Sequence, residues 1–464
     1  MPTRLQSRLA FSALGIGVVA LWGTEVHAQT RNLPVVPGLT EIQKPVAAAI
    51  DAACVGLTGK GAAARMPEEE KLFVSCRKMV QTANVLAGGS PTTNANSLGL
   101  NNAQLRDAVQ AVGHEEVAIN GRSAVEAAGG SAIGIRLFAL RNGARGFGVA
   151  DAGTASGSQR STASLPESGG GAADEPGGRL GGFINISYNK GDKATTARED
   201  GFDFANTGVT AGMDYRFNDN FVGGAALTYG KTDATIASAL GSADSKSGAI
   251  SLYASWYQRQ WYVDGHLSYS RNRYDTTRRI VVASQSPTVA GFDTSAAGRT
   301  HGNQMTAVIG TGYDIERGSL LITPYGRLGV LKLKIDAYTE TEPNHGLALD
   351  VGSQSLKSVQ SALGLKIALT SSTAMGVVVP FASIEWNHEF DNDTRSLTAK
   401  YTNDPFNNFF AIPTDTPDRN YATLSVGISS QFRNGLSAFA TLSTVEGLKD
   451  VKNRGFVVGL RKEF

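Results

Sequence analysis

Trp-Tyr-Val-Asp-Gly-His-Leu-Ser-Tyr, residues 261–269, is the stretch of sequence that decides the fold. One set of alternate positions carries Trp261, Val263, Gly265, Leu267 and Tyr269, while the positions between them carry Tyr, Asp, His and Ser. This strict period of two predicts a β-strand, because successive side chains of a strand point to opposite faces. The apolar face begins and ends with an aromatic ring, which is typical of a strand that crosses a membrane between interfacial girdles.

The same alternation recurs along the chain from residue 179 to the carboxyl terminus. Further apolar faces begin at Val209, Phe221, Ile250, Ile322, Leu363, Ile384 and Leu424. Tight turns at 218–220, 258–260, 316–318, 371–373 and 433–435 alternate with long polar segments at about 191–203, 232–245, 275–298, 337–354 and 391–419. Outer-membrane barrels have short periplasmic turns and long external loops, so the pattern predicts an all-β transmembrane barrel of about 12 antiparallel strands.

Two alternatives to this interpretation concern the strands themselves. Leu397–Tyr401 has the composition of an additional strand, but we assign it to the long loop that precedes Tyr421. A soluble β-sandwich would also show a period of two. It would not need short and long connections to alternate, and we therefore favour the barrel.

The amino terminus predicts export from the cytoplasm. Arg4 and Arg8 precede an apolar run from Leu9 to Trp22, and Val26-His-Ala28 places a small residue directly before Gln29, as at a signal-peptide cleavage site. Residues 1–28 are therefore expected to be a signal peptide. The run is shorter than the roughly 20 apolar residues that a membrane anchor needs. A formal net charge of +2 gives no support for a nucleic-acid surface.

Residues 29–145 have helical rather than strand-like spacing, and we expect a small helical N-terminal domain. Two amphipathic stripes carry the only cysteines of the chain, Cys54 and Cys76. In an oxidising compartment a disulfide between them is the default expectation, and two thiols alone make a poor metal site. A third stripe follows Asn101, which we interpret as a helix start. Residues 146–178 are rich in Gly, Ser and Ala and predict a flexible linker.

The last strand carries the features of an assembly signal. Phe456, Val458, Leu460 and Phe464 share one face and end on an aromatic carboxyl terminus, the pattern that the outer-membrane assembly machinery reads. Together with 208–217, 252–257, 261–274, 323–325 and 386–390, this strand resembles the autotransporter β-domain, the translocator of type V secretion. Lys462 departs from the family pattern, in which that place is usually aromatic or apolar.

The resemblance implies that an N-terminal passenger crosses the outer membrane with the barrel and that a helical segment occupies the pore. Ser131–Arg145 is the candidate helix, although the linker itself is an alternative occupant. Charges facing the lumen are tolerated where charges facing lipid are not. The possible ion pairs between this helix and the barrel join Arg136, Arg141 and Arg145 to Asp214, Asp264, Glu385 and Glu463. The alternative for each of these charges is a solvated lumen residue that has no partner on the helix.

The helical region contains no recognisable catalytic, cofactor or metal motif. Gly56-Leu-Thr-Gly-Lys-Gly61 has the wrong spacing for a phosphate loop, and His114-Glu-Glu lacks the second histidine of a zinc helix. We therefore expect no enzyme, no cofactor and no metal. An enzymatic passenger would need a nucleophile and a base that the sequence does not offer.

The leading hypothesis is a bacterial outer-membrane autotransporter whose barrel anchors and translocates a small helical domain to the cell surface. Its expected partners are outer-membrane lipid, the barrel-assembly machinery and the general secretion translocon, and the passenger's own partner is unknown. The alternative hypothesis is an outer-membrane pore or anchor whose helical domain stays in the periplasm.

Overall fold

The computed structural model describes residues 32–113, 133–134, 136–138, 140, 179–237, 240–374, 376–391, 393–432 and 436–463. These residues form a closed antiparallel barrel and a helical region that precedes it in sequence. None of the helices in the described ranges is long and apolar enough to cross a membrane.

The helical region contains three α-helices with clear sequence signals at their starts. Helix α2 begins at Pro67, where proline costs no hydrogen bond, and the carboxylate of Glu69 accepts the backbone N–H of Met66 at 2.9 Å. Helix α3 begins with a capping box in which Asn101 and Gln104 each accept the other's backbone N–H. The bounds are α1 (Gln43–Lys60), α2 (Pro67–Leu86) and α3 (Asn102–Val112), with 3₁₀ turns at Leu33–Val35 and Ala62–Ala64.

Twelve long strands close into the barrel, and every pairing between neighbours is antiparallel. They are β1 (Leu180–Lys193), β2 (Phe202–Asn218), β3 (Phe221–Ile236), β4 (Gly241–Gln258), β5 (Trp261–Val282), β6 (Phe292–Tyr313), β8 (Leu320–Ile335), β11 (Gln354–Leu369), β13 (Gly376–Glu389), β16 (Asn420–Phe432), β17 (Leu436–Glu446) and β18 (Val451–Glu463). Two short strands extend the sheet, β7 (Ile315–Arg317) beside β8 and β12 (Ser371–Thr373) beside β13. Strand β18 pairs with β1 from Gly181 opposite Glu463 to Lys193 opposite Val451, which closes the barrel. The predicted all-β barrel and its number of strands are confirmed.

The two faces of each strand follow the alternation in the sequence. Trp261 is 56% exposed on the outer face, while its neighbour Tyr262 is 5% exposed and points into the lumen. Several inward-facing rings lie across a glycine of the adjacent strand. A Cβ atom at Gly224 would lie 2.5 Å from the ring of Tyr253, so only glycine allows this close approach.

The barrel has a short-turn end and a long-loop end. At the short-turn end, β2 and β3 are separated only by 219–220 and β4 and β5 only by 259–260. Toward the long-loop end, β5 and β6 each extend for 22 residues. A strand of that length spans roughly 70 Å, which exceeds the ~25 Å apolar band even when the strand is strongly tilted.

The predicted bounds of the long loops were wrong in two places. Residues 232–245 and 275–298 were assigned to loops, but β3 continues to Ile236 and β5 to Val282. The outward apolar pattern ends before the strands do, whereas backbone pairing between strands continues beyond it. A pattern based on lipid-facing residues therefore underestimates strand length at this end.

The remaining long loops carry a second, four-stranded sheet outside the barrel. Its order is β15 (Phe410–Pro413), β14 (Ser396–Tyr401), β10 (Leu349–Val351) and β9 (Tyr338–Thr339). Strand β14 contains Leu397–Tyr401. This segment belongs to the long loop before Tyr421, as predicted, and within that loop it forms a short strand outside the barrel. A backbone bridge between Ala297 and Thr341 ties this sheet to β6.

Candidate functional site: the barrel lumen and its outer cap

The described residues of 133–140 are helical and lie inside the barrel, and we call them the lumen segment. Ile133, Leu137 and Leu140 are at most 3% exposed and share a cluster with inward-facing side chains of the wall. Those wall residues are Phe183, Val222, Ala226, Tyr253, Tyr257 and Tyr262. The segment lies toward the short-turn end, because Tyr257 and Tyr262 flank the short turn at 259–260. It is thus held in the lumen by an apolar face.

One ion pair joins the lumen segment to the wall. The guanidinium of Arg136 donates from Nε to Oδ2 of Asp214 at 2.6 Å, and the two side chains are 2% and 5% exposed. The hydroxyl of Tyr253 donates to the same carboxylate oxygen at 3.0 Å. The ring of Phe183 lies 5.2 Å from the guanidinium carbon. The charge on Arg136 is therefore matched by one carboxylate and lies over one aromatic ring, and the Tyr253 hydroxyl supports the carboxylate.

Other charges that the sequence placed in the lumen have different partners. Glu385 is bound by Arg327 of β8, a residue that the sequence-based set omitted. Strand β11 lies between them, and its Ala362 and Gly364 are small enough for the two long side chains to meet. Arg141 and Arg145 lie outside the described residues, so the pairing of Glu385 with the helix stays a prediction. The period of two had already placed Arg327 on the inner face, so a signal for it was available.

The remaining lumen candidates are Asp264, Glu463, Arg141 and Arg145. Asp264 accepts a hydrogen bond from the hydroxyl of Ser255 at 2.7 Å. The backbone of Glu463 ends β18, and its side chain lies outside the described residues, as do Arg141, Arg145 and the linker 146–178. Their proposed pairings stay predictions.

Polar space remains in the lumen beside this segment. A cavity of about 300 Å³ is lined by Phe138, His266, Arg327 and Glu385 among others. A second cavity of about 310 Å³, lined by His266, Arg327, Gln360 and Tyr421 among others, adjoins it. Their shared lining shows that the two spaces follow one another along the lumen.

The helical region packs against the loop sheet at the long-loop end, and we call helices α1–α3 together with β9, β10, β14 and β15 the outer cap. The two parts share one apolar core rather than two separate ones. From the helical side it contains Leu33, Val46, Ile50, Leu57, Leu72, Met79, Leu105 and Val109, and from the loop side Ile280, Phe292, Leu347, Leu349, Val351, Leu397, Tyr401, Phe410 and Ile412. The helices are therefore not a bundle closed on itself.

Hydrogen bonds fix the helices on the loops. The hydroxyl of Ser75 donates to the carbonyl of His345 at 2.9 Å, and the ammonium of Lys78 donates to the carbonyl of Ala290 at 2.9 Å. The carbonyl of Leu98 accepts the backbone N–H of Gln285 at 2.8 Å. These bonds join the helical region to backbone groups of the long loops at three separate places.

The end of α3 lies over the barrel mouth. The carbonyl of Val112 accepts the Tyr401 hydroxyl at 3.1 Å and Arg278 at 3.3 Å. Arg278 also donates to the carboxylate of Glu340 at 2.6 Å. Residue 113 is thus the last described residue of the outer cap. The next described residue along the chain is 133, which lies inside the lumen.

Cys54 and Cys76 form a disulfide between α1 and α2, with their Cα atoms 5.6 Å apart. Lys60 and Glu69 add an ion pair of 2.7 Å between the same helices. Gly56, in the stretch that resembles a phosphate loop, packs against the ring of Phe406. A Cβ atom at position 56 would lie 2.5 Å from that ring. In the described ranges no group of three or more His, Cys, Asp or Glu side chains is placed to hold a metal ion.

A scan against protein-family models matches the autotransporter β-domain over residues 182–443, which is more than half of the chain. The chain belongs to the autotransporter family. Its barrel is accordingly an outer-membrane transport and anchor domain of a bacterium. A comparison with curated protein sequences found no match.

Solved autotransporter structures are similar to this chain. The translocator domain of NalP from Neisseria meningitidis is 18% identical, with a TM-score of 0.49, and the match covers 62% of this chain and 90% of that chain. The β-domain of the Bordetella autotransporter BrkA is 14% identical, with a TM-score of 0.42 and coverage of 61% and 99%. The transport unit of AIDA-I from Escherichia coli is 12% identical, with a TM-score of 0.40 and coverage of 63% and 92%.

The closing strand of this autotransporter shows where its predicted assembly signal lies. Phe456 and Leu460 are 38% and 52% exposed on the outer face, and Val458 lies between them in the same phase. Lys462 shares that phase and stands opposite Gly182 of β1 and Leu436 of β17. Phe464 lies outside the described residues. The three described members thus lie on the outer face of the barrel, at the seam where it closes.

Proposed function

We propose that this autotransporter exports its own N-terminal helical region through the barrel and keeps it anchored at the cell surface as the outer cap. The path of the described chain carries the proposal. The helices lie at the long-loop end, the lumen segment lies inside the barrel, and β1 begins at the short-turn end with Leu180. Since long loops of outer-membrane barrels are external, this path leads from outside to the periplasm.

The shared core supports display rather than release. Apolar side chains such as Tyr401 and Leu349, both 0% exposed, come from the barrel's own loops and complete the core of the helical region. Release of the helices would expose these side chains and their partners to water, at roughly 1.5–3 kcal/mol for each large side chain. The proposed mechanism is therefore transport and display, not turnover.

The proposal includes the steps that precede surface display. Residues 1–28 direct the chain to the general secretion translocon and are removed in the periplasm. The barrel-assembly machinery reads the last strand, and the barrel inserts into outer-membrane lipid. The disulfide between Cys54 and Cys76 is consistent with passage through an oxidising compartment.

Digestion of intact cells with a protease tests this proposal. The protein carries an epitope tag directly after Thr30 and a second tag in the short turn at 219–220. We expect the first tag to be lost from intact cells while the second tag is retained until the outer membrane is opened. The second tag serves as the control for membrane integrity.

The alternative function predicts a different digestion pattern. If the helical region is periplasmic and the barrel is a pore or anchor, both tags are protected in intact cells and both are lost after the membrane is opened. The polar cavities of about 300 and 310 Å³ in the lumen would then predict ion conductance after deletion of residues 29–145.

A further inference from the structure

The outer face of the barrel carries cations at one level, directly beyond an aromatic girdle on the side of the long loops. Tyr188, Tyr229 and Tyr269 are 43%, 56% and 53% exposed on this face. Two residues farther along each of these strands stands a cation in the same phase, namely Lys190, Lys231 or Arg271. Two residues advance a strand by roughly 7 Å, which places the cations next to the edge of the apolar band.

Neighbouring strands extend this row, and we call the whole set the basic belt. Lys246 stands directly opposite Lys231 on one side and Arg273 on the other, and Lys332 stands opposite Lys357. All members are exposed. The belt comprises Lys190, Lys231, Lys246, Arg271, Arg273, Lys332, Lys334, Lys357 and Arg454.

Such a row opposes barrel stability unless anions approach it. Like charges directly opposite one another in a sheet repel, and a barrel wall holds them in fixed register. Carboxylates neutralise part of the belt, since Asp233 lies 2.6 Å from Lys231, and Asp275 lies 3.4 Å from Arg273. Lys357 has Asp391 at 3.6 Å. In the described part of the chain, Lys246, Arg271, Lys332 and Lys334 form no ion pair.

We propose that the basic belt binds the phosphate groups of the lipid leaflet that faces the long loops. Its position carries the choice of partner, because the belt occupies the outer face of β1, β3, β4, β5, β8, β11 and β18 directly beyond the aromatic girdle, where lipid headgroups begin. A soluble anion would require a concave site, whereas these side chains project from a convex wall. Basic residues at a membrane surface each add about 1 kcal/mol to the attraction for anionic lipid, so a belt of unpaired cations binds several headgroups together.

Lipid retention by the full-length protein tests the proposal. The protein is purified in a neutral detergent, supplied with phosphatidylglycerol or phosphatidylcholine at equal concentration, and examined by native mass spectrometry. We expect several bound phosphatidylglycerol molecules and few phosphatidylcholine molecules. Equal retention of the two lipids would overturn the proposal. Inorganic phosphate is added in a third arm, and displacement of phosphatidylglycerol by millimolar phosphate would indicate an anion site without lipid specificity, which also contradicts the proposal.

A triple substitution and its matched control separate the belt from overall charge. The test variant is Lys246→Gln, Arg271→Gln and Lys332→Gln, and the control is Lys44→Gln, Arg317→Gln and Lys449→Gln, which removes three exposed cations elsewhere. We expect the test variant to bind phosphatidylglycerol on the order of 100-fold more weakly and the control to bind like wild type. Equal binding by the two variants would contradict the proposal.

The wild-type protein provides a measurement that does not depend on folding of a variant. Attraction between exposed charges is screened over about 10 Å at 0.1 M salt and about 3 Å at 1 M. Retention of phosphatidylglycerol should therefore fall steeply between these two salt concentrations. Retention that is unchanged by salt would overturn an electrostatic belt, while leaving the surface-display proposal untouched.

Discussion

The guanidinium of Arg136 in the lumen segment donates to the carboxylate of Asp214 on β2 at 2.6 Å, and both side chains are almost fully buried. The pair joins a residue that precedes the barrel to the wall of the barrel. It is therefore a polar contact that ties the lumen segment to the short-turn half of the pore.

We predict that Asp214→Ala loosens the lumen segment. Removal of one partner from a buried ion pair leaves the other charge uncompensated and costs about 3–5 kcal/mol. Conductance in planar bilayers should show frequent openings in this variant and few in wild type. Asp233→Ala, which removes an exposed partner of Lys231, is the control and should behave as wild type. The exchange Arg136→Asp with Asp214→Arg should restore part of the closure, and a fully closed Asp214→Ala barrel would contradict this role.

Gly224 is predicted to be required for the packing of Tyr253 inside the barrel. Gly224→Ala places a Cβ atom 2.5 Å from the Tyr253 ring, so the ring or the strand must move. Such overpacking typically costs about 1–3 kcal/mol. Heat-dependent migration on gels should show unfolding of this variant at a lower temperature. Gly248→Ala is the matched control, because nothing lies within 4 Å of its added Cβ atom.

Tyr401 is predicted to hold the outer cap on the barrel. Its ring is fully buried and its hydroxyl donates to the carbonyl of Val112 at 3.1 Å. Tyr401→Ala should cost about 3–5 kcal/mol through loss of the buried ring, and Tyr401→Phe about 1 kcal/mol through loss of the hydrogen bond. Protease digestion of the purified protein should release the helical region fastest from Tyr401→Ala. Phe409→Ala, at a side chain 66% exposed, should leave the rate unchanged.

The helical hairpin of the cap should lose stability in acid. The ammonium of Lys60 and the backbone N–H of Met66 lower the pKa of Glu69 below its ordinary value of 4.5. Because the folded pKa is the lower one, the stabilisation is fully present above pH 4.5 and is lost as the pH falls through the lowered value. Thermal melts followed by circular dichroism at the helical band should show this loss. Glu69→Gln should flatten the pH dependence, and Glu68→Gln should not.

The barrel could be predicted from the sequence because lipid imposes a regular pattern on it. Each strand that crosses the membrane needs an apolar outer face. In 261–269 every second residue belongs to that face, so the face can be read from the alternation in the sequence. The capping residue Asn101 likewise marked the start of α3 correctly. Both signals depend on residues that are close together in sequence, so they can be recognised from one sequence alone.

The cap could not be predicted because its contacts join residues far apart in sequence. The apolar residues at 347–351 and 397–401 occur in short runs within loops that otherwise look polar. Only the fold shows that Tyr401 meets Val112 across 289 positions of the chain. Arg327 was missed for a related reason, since its partner Glu385 lies two strands away across β11.

The most direct test of the central claim uses two single cysteines and a maleimide that does not cross membranes. Glu68→Cys lies on an exposed face of α2 in the outer cap, and Asp219→Cys lies in a short turn. The native cysteines are joined in a disulfide and do not compete for the label. The account predicts labelling of Glu68→Cys on intact cells and labelling of Asp219→Cys only after the outer membrane is opened. Protection of Glu68→Cys on intact cells would contradict it.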